Sequence, residues 1–413
     1  MVENQIQIPE GWKSSTINDL CIIGRGRVIS QTEIFNKVGV YPVYSSQSQN
    51  NGEMGRIDTF DFDGDYVTWT TDGAYAGTVF FRTGKFNCTN VCGTLKEKEA
   101  NTLDLQFLAY LLSTEAKYHV SYVGNPKLMN GVMAKILLQL PKDKTEQTTI
   151  ATILSKTDQA IAHTEALIAK YTKIKTGLMQ DLLTKGIDQN GKIRSEQTHE
   201  FKDSPLGRIP KEWECDYLSS KVQVHGGYAF KSKDFQTEGV QLIRIGNLYN
   251  NQLSLNRDPI FLPKEFLKTL PQFILNKGDI ILSMTGTAGK RDYGFAVQIN
   301  IEEKVFLNQR VCKFLFQEAK IDKDFLLNVL HSEFYLTKLY ESVTGTKQAN
   351  LNSDNILEIY VPFPILDEQK RISNYLLKVD DFISKSKTEL TKLQSLKIGL
   401  MQDLLTGKVR VKI

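Results

Sequence analysis

The longest regular pattern in the chain is a four-three alternation of apolar positions, and it occurs twice. The series Ile150, Leu154, Thr157, Ile161, Thr164, Ile168, Tyr171, Lys175, Leu178, Leu182 is apolar at seven of its ten positions. The series Ile372, Leu376, Val379, Ile383, Ser386, Leu390, Leu393, Lys397, Leu400, Leu404 is apolar at eight of ten. Apolar residues at this spacing form one stripe of a helix that needs a facing helix, so the pattern predicts two long coiled-coil helices, within 141–184 and 363–413. Gly177 and Gly399 lie inside the pattern; an interior glycine costs only about 1 kcal/mol against alanine and does not end a helix. Pro141 and Pro364 stand just ahead of it, where proline is tolerated. Further apolar positions (Ile153, Ala160, Leu167, Ile174; Tyr375, Phe382, Leu396) widen each face beyond a two-stranded seam. The extra width either packs on the chain's own domains or serves a partner.

Outside these helices the apolar pattern shortens. Tyr66–Thr70, Thr78–Phe81, Gln241–Ile245 and Gly278–Leu282 predict strands of a twisted sheet, and 104–114 and 322–340 predict short helices. Asp58, Asp61, Asp63 and Asp65 alternate with apolar residues, as on a solvated strand face. The stretch 185–207 is polar and turn-rich and predicts a linker.

Comparison of the chain with itself explains why the helix pattern occurs twice. Residues 146–184 align without a gap to 368–406, an offset of 222, with 17 identities in 39 positions and the identical octet GLMQDLLT at 177–184 and 399–406. Ile8-Pro9-Glu10-Gly11-Trp12 is echoed by Ile209-Pro210-Lys211-Glu212-Trp213. The chain is two tandem copies of one plan: IPxxW, a loop-rich interior, a long helix. The interiors are unlike, and YPVYSSQSQNNGEMGRIDTF in the first copy finds no sequence counterpart in GGYAFKSKDFQTEGVQLIRIGNL of the second. The economical partner for each helix is the other copy, packed antiparallel as a rod of about 58 Å. The expected fold is α+β: two globular mixed α/β domains joined by two long antiparallel coiled-coil helices in a pseudo-two-fold tandem repeat. The expected divisions are 1–140, helix 141–184, linker 185–207, 208–362, and helix with tail 363–413.

Charge and composition narrow the function classes. The net charge is +4, with 12 basic against 14 acidic residues in 1–139 and 10 against 6 in 362–413, so no global basic footprint exists and any nucleic-acid site must be local. Five cysteines (Cys21, Cys88, Cys92, Cys215, Cys312) in 413 residues are too few for a disulfide framework. With no apolar run near membrane length, the expectation is a soluble cytoplasmic protein without membrane association.

Motifs for chemistry are missing. Asn125-Pro126-Lys127-Leu128 lacks the second proline of the motif carried by adenine methyltransferases. Gly286-Thr287-Ala288-Gly289-Lys290-Arg291 lacks phosphate-loop spacing, and Gly24-Arg25-Gly26 lacks the third glycine of a dinucleotide fingerprint. The five histidines are scattered, so the sequence offers no catalytic residues and no metal cluster.

The tandem plan, the IPxxW openings, and PxxxxEQxxI leading a helix that ends in GLMQDLLT resemble the specificity (S, or HsdS) subunit of type I restriction-modification systems. The resemblance spans nearly the whole chain. It implies two target-recognition domains, each reading half of a bipartite asymmetric double-stranded DNA site. It also implies helices that set the spacing and dock two methyltransferase (HsdM) subunits, joined by restriction/translocase (HsdR) subunits. S-adenosylmethionine, ATP and magnesium would then belong to the partners, with no cofactor in this chain and no catalysis of its own. Partner or seam contacts are expected of Ile150, Leu154, Ile161, Ile168, Leu178 and Leu182, and of Ile372, Leu376, Ile383, Leu390, Leu400 and Leu404.

Arg and Lys pair with guanine and phosphate, Asn and Gln with adenine. DNA-reading candidates are therefore glycine-rich loops bearing these residues. In the first copy these are Arg25, Arg27, Gln47, Gln49, Asn50, Thr71, Asp72, Tyr75, Arg82, Lys85, Asn125 and Lys127. In the second they are His225, Tyr228, Lys231, Lys233, Arg244, Asn247, Lys290, Arg291, Asn308, Gln309, Arg310, Thr346, Lys347, Gln348 and Asn350. GTKQANLN at 345–352 matches the family's stretch before the helix, whereas VGNPKLMNG at 123–131 departs from it. Two other classes compete: a coiled-coil scaffold whose end domains bind proteins, and a self-contained nuclease or methyltransferase. Absent chemical motifs count against the latter; the unlike interiors suit an asymmetric DNA target better than a protein scaffold.

Overall fold

The computed structural model describes residues 8–47, 49–317, 321–343 and 347–412, Gln49 by its backbone alone. It divides into two compact units: unit 1 is Met1–Leu167 with Ser386–Ile413, and unit 2 is Ile168–Lys385. The division cuts through both long helices, so each unit is built from one globular interior, the start of its own helix and the end of the other.

Unit 1 runs β1 (Trp12–Thr16), β2 (Cys21–Arg25), β3 (Val38–Tyr44), β4 (Glu53–Ile57), β5 (Tyr66–Thr70), β6 (Val79–Arg82), β7 (Asn87–Cys88), β8 (Cys92–Glu97), α1 (Leu105–Glu115), β9 (Leu137–Pro141) and into α2 (Lys144–Thr184). Its main sheet is antiparallel in the order β2-β8-β5-β6. A smaller sheet, β4-β3-β7, holds β3 parallel to β7. Unit 2 repeats the plan with β10 (Glu214–Tyr217), β11 (Val222–Gly226), β12 (Val240–Ile243), β13 (Phe261–Leu262), β14 (Ile274–Leu275), β15 (Ile280–Ser283), β16 (Thr285–Thr287), β17 (Ala296–Gln298), β18 (Val305–Leu307) and β19 (Val311–Phe316). There follow α3 (Lys323–Leu330), α4 (Glu333–Glu341), β20 (Gln348–Asn350), β21 (Tyr360–Phe363) and α5 (Leu366–Leu404). Its sheets are ordered β11-β19-β15-β17 and β13-β12-β18-β14, with β12 parallel to β18.

The interiors that share no sequence thus share a topology: β3 and β12 each lie between an antiparallel and a parallel neighbour. Backbone pairing asks only for apolar residues on the buried face, and Val43 meets that demand as Leu242 and Ile243 do. Three expectations need correction. Residues 58–65 form a loop rather than a strand face, with Asp61 turned to Arg27. The 322–340 segment is two helices, because buried Ser332 caps the second through the amide of Tyr335. The 185–207 linker is docked, with Ile187 and Arg194 buried and Phe201–Ser204 paired to Gly207–Pro210.

The repeated EQ dipeptide explains the helix starts. Glu146, Gln147, Glu368 and Gln369 are all buried at the head of their helices. Gln147 donates to the Pro141 carbonyl (2.9 Å) and accepts from the amide of Asp104 (2.8 Å), whose carboxylate caps α1. Gln369 does the same with Pro364 and Asp322 (2.8 Å each), and Asp322 caps α3. Each glutamate binds an arginine: Glu146 takes both Nε and Nη2 of Arg410, and Glu368 takes both terminal nitrogens of Arg194 and the indole N–H of Trp213.

Within each unit the two long helices pack antiparallel. In unit 2 the Tyr171 ring packs tilted against Phe382 and Lys175 pairs with Asp380 (2.6 Å). In unit 1 Asp158 pairs with Lys397 (2.6 Å). Under the offset of 222 these ion pairs are the same pair. Every position of the two apolar series is buried or half-buried. The identical octets close the domain cores: Leu182 and Leu183 join the core of unit 2, Leu404 and Leu405 that of unit 1. Gly177 and Gly399 lie within continuous helix. Among the described residues no helix is long and apolar enough to cross a membrane.

Candidate nucleic-acid interface

Three loops meet at one corner of each unit, joined by a short ladder of backbone hydrogen bonds. In unit 1 the amide of Thr71 donates to the Val91 carbonyl and that of Leu128 to the Thr71 carbonyl, both at 2.9 Å. In unit 2 Met284 donates to Arg310 (2.8 Å) and Leu351 to Met284 (2.7 Å). The tight turns 89–92 and 308–311, the stretches after β5 and β15, and the segments 125–128 and 348–351 therefore occupy equivalent places. VGNPKLMNG departs from GTKQANLN in sequence but not in position: Asp72 bridges Lys127 as Thr285 pairs with Asn350. The corner is closed by a glycine in each unit, since a Cβ on Gly26 or Gly227 would lie 2.2 or 2.0 Å from the Cys88 or Asn308 carbonyl oxygen.

The side chains placed on this frame differ sharply. In unit 1 the cations are already paired. Arg25 donates to the Asn90 carbonyl, to Thr71 Oγ1 (3.2 Å) and to Asp72 (3.3 Å), and Lys127 lies 3.9 Å from the same carboxylate. Arg27 is held by Glu33 (3.0 Å) and Asp61 (2.9 Å), which raise its pKa above the ordinary arginine value. Lys85 rests 4.4 Å over the ring of Phe60. In unit 2 Lys231, Lys233, Lys290 and Arg310 are exposed, and among the described residues none of their side chains has a hydrogen-bond or ion-pair partner. Unpartnered surface cations are what a phosphate backbone attracts, because pairing them releases counterions.

Several sequence candidates belong to the scaffold. Arg82 is buried, stacked on Tyr44 and Phe80 and bonded to the Asn51 carbonyl, and burial lowers its pKa. Asn247 is buried and donates to the carbonyls of Ser254 and Arg257, stapling a loop. Thr71 is buried under Arg25. Gln47 and Asn50 bond the Glu53 carbonyl, Arg244 donates to that of Asp258, and the His225 ring packs tilted against Phe273. Arg291 is tied to Glu333 (2.6 Å), and Tyr228 packs on Phe230 and Phe273. Asp72 is half-buried between its two cations; Tyr75, Asn125, Gln309, Lys347, Gln348 and Asn350 are exposed on or beside the three loops, and Asn308 is half-buried. Thr346 and the side chain of Gln49 lie outside the described residues. Sequence reasoning missed Asn90, exposed at the turn position equivalent to Gln309 of unit 2; its signal was a polar turn residue between two short strands.

Among the described residues no three His, Cys, Asp or Glu side chains gather to hold a metal. Four of the five thiols are buried and Cys215 is half-buried; burial pushes Cys92 up to about 11 and Cys21 and Cys312 up to about 12.

Comparison with known proteins agrees with this geometry. The type I restriction modification DNA specificity domain matches twice, at residues 9–172 and 210–395. The specificity subunit of the type I restriction enzyme MjaVIII of Methanocaldococcus jannaschii is 29% identical over 413 residues, covering 98% of this chain and 95% of its own. A type I specificity subunit of Mycoplasma pneumoniae is 31% identical over 350 residues, 84% of each chain. The crystal structure of a type I restriction-modification S subunit from M. genitalium shares the fold, with a TM-score of 0.65 at 17% identity over 100% of this chain and 98% of that one. With both halves of the tandem matched and the repeated scaffold in place, the chain belongs to the family of type I restriction-modification DNA specificity subunits.

Proposed function

We propose that each unit reads one half of an asymmetric, two-part double-stranded DNA sequence through its three-loop corner. The observation that carries this is the pair of corners itself: one backbone ladder, occupied by unlike side chains. A common frame holds both readers alike, while different side chains meet different bases. The paired long helices carry the partners: two methyltransferase subunits and, in the larger complex, restriction/translocase subunits. Tyr375, Leu377, Leu396 and Ile398 are exposed on the second of these helices, α5, and give such partners apolar surface outside the seam. Methyl transfer from S-adenosylmethionine, and cleavage driven by ATP with magnesium, are the partners' chemistry, carried out in the cytoplasm.

Modified-base sequencing of the host genome with and without this gene tests the reading. The expected result is loss of adenine methylation at one asymmetric two-part motif. An unchanged methylation pattern in a host whose methyltransferase partner is expressed would refute it.

A further inference from the structure

We infer that Arg310 is the guanine-reading residue of unit 2, an inference that rests on the DNA-reading role proposed above. Its backbone is in the left-handed region, at φ 69°. A side chain other than glycine or asparagine is strained there, and such strain persists where the surrounding structure holds it, commonly at functional sites. The holding contact is visible: the Arg310 carbonyl accepts from the amide of Met284 at 2.8 Å, in the ladder that joins the three loops. At the equivalent point of unit 1, Val91 makes the same backbone bond at negative φ, so the ladder itself does not require the strained conformation.

The guanidinium is exposed and, among the described residues, without a partner. Asp292, seven residues beyond Thr285, is occupied by the amide and hydroxyl of Thr287 (2.7 Å each). There is also room beside it. Gly226 ends the neighbouring strand, and a Cβ there would meet nothing within 4 Å. The equivalent residue of unit 1 is Arg25, as the registers Arg25 to Gly93 and Gly226 to Cys312 show. Arg25 lays its guanidinium on the Asn90 carbonyl, beside Val91. Each unit therefore brings one arginine to its corner from a different place, Arg25 from the end of β2 and Arg310 from the turn before β19. The arginine of unit 1 is locked by Asp72; that of unit 2 is free, because Thr285 stands in the place of Asp72.

Phosphate neutralisation needs a cation but little orientation, and Lys231, Lys233 and Lys290 meet that need on flexible stems. Base reading needs a fixed Cα–Cβ direction, and a backbone pinned at positive φ supplies it. An arginine fork then matches the O6 and N7 acceptors of guanine in the major groove.

The test replaces Arg310 in the chromosomal gene by Gly and by Lys, with thermal melting of each purified complex as a control. Arg310→Gly removes the guanidinium and suits the backbone, so it should melt no lower than wild type. Methylation should spread at one guanine position in one half of the motif, with the other half unchanged. In binding assays, wild type should prefer the guanine-containing duplex by roughly ten- to a hundredfold, Arg310→Lys less, and Arg310→Gly hardly at all. An unchanged motif in Arg310→Gly, or equal weakening on every duplex, would overturn the assignment while leaving the specificity role intact. A wild-type strain without a gene-dependent two-part motif would overturn the underlying reading, and this inference with it.

Discussion

Where the long helices close each domain, the two units make the same contact in different depths of solvent. In unit 2 Arg194 is 8% exposed and its partner Glu368 2%, with the Trp213 indole on the same carboxylate. In unit 1 Glu146 is equally buried, but Arg410 is 41% exposed and the indole nitrogen of Trp12 is buried without a hydrogen-bond partner. Unit 2 is closed by the covalent connection through 185–210, unit 1 by residues near the far end of the chain folding back. The repeat preserves the charge logic of the closure and lets its strength vary; at the reading corners it preserves the backbone and lets the charge logic vary.

Removing the glutamates breaks this comparison most severely. Glu368→Ala leaves the buried Arg194 guanidinium with only the exposed Glu212 on its Nε (3.1 Å), takes the acceptor from the Trp213 indole, and should cost unit 2 about 3 kcal/mol. Glu146→Ala leaves an arginine that water can reach and should cost about 1–2 kcal/mol. Denaturant melts of the full chain would decide it, and equal losses would show that the two closures are equivalent after all.

Next in size is the asymmetry of charge at the corners. Replacing Lys231, Lys233 and Lys290 together by alanine should flatten the salt dependence of DNA binding by about two to three units of slope and weaken binding roughly ten- to a hundredfold near 0.1 M salt. The matched triple of Arg27, Lys85 and Lys127 should change the slope by less than about one unit, since carboxylates or an aromatic ring already occupy these cations. A larger effect from the unit 1 triple would mean that DNA displaces those internal partners.

A smaller difference lies beside the interhelical ion pairs. Unit 1 has a cleft of about 550 Å³ lined by Val79, Ser113, Asp158 and Lys397, among others. The corresponding residues of unit 2 are Ala296, His331, Asp380 and Lys175, and there the imidazole is half-buried with a ring nitrogen 2.8 Å from the Ala296 carbonyl. Burial lowers the pKa of His331 below its ordinary 6.5, Lys175 adding to the shift while the Ala296 bond and Asp380 oppose it. A histidine depressed in the fold binds its proton more readily when unfolded. Its contribution is therefore complete above pH 6.5 and is lost as pH falls below that, with a slope of at most about 1.4 kcal/mol per pH unit. His331→Ser should remove that dependence; an unaltered acid limb would place its origin elsewhere.

How much of this was legible depends on how local the signal is. The helices, their antiparallel partners and the closing octets announce themselves because i, i+4 spacing and a long repeat are local facts. The EQ dipeptide was visible as a repeat but not as a joint, because its meaning lies in Arg194 and Arg410, 174 and 264 residues away from their glutamates. The candidate cations could be named but not sorted, since Arg27 is neutralised by Asp61 across 34 positions while Lys231 has no such neighbour among the described residues. Asn247 looks like any loop asparagine until the carbonyls it serves are in place. The corner depends on turns whose backbones meet although their sequences do not align.

The mildest test uses the two glycines that the repeat holds in common. Gly177 and Gly399 are interior to their helices, and a Cβ at either would meet nothing within 4 Å. On helix propensity alone, Gly177→Ala and Gly399→Ala should each stabilise the chain by about 0.5–1 kcal/mol, with DNA reading unaltered. Among the described residues nothing within 4 Å of either position calls for glycine. If the long helices carry the partners as proposed, a partner helix approaching the backbone closely at both points would be obstructed by the added methyl. The expected outcome is therefore a split: a higher melting temperature for the isolated chain and weaker assembly with the methyltransferase subunits, equal in the two variants. Improved stability with unchanged assembly would move the docking surface away from these glycines, and weaker assembly in only one variant would mean that the repeated helices are not used alike.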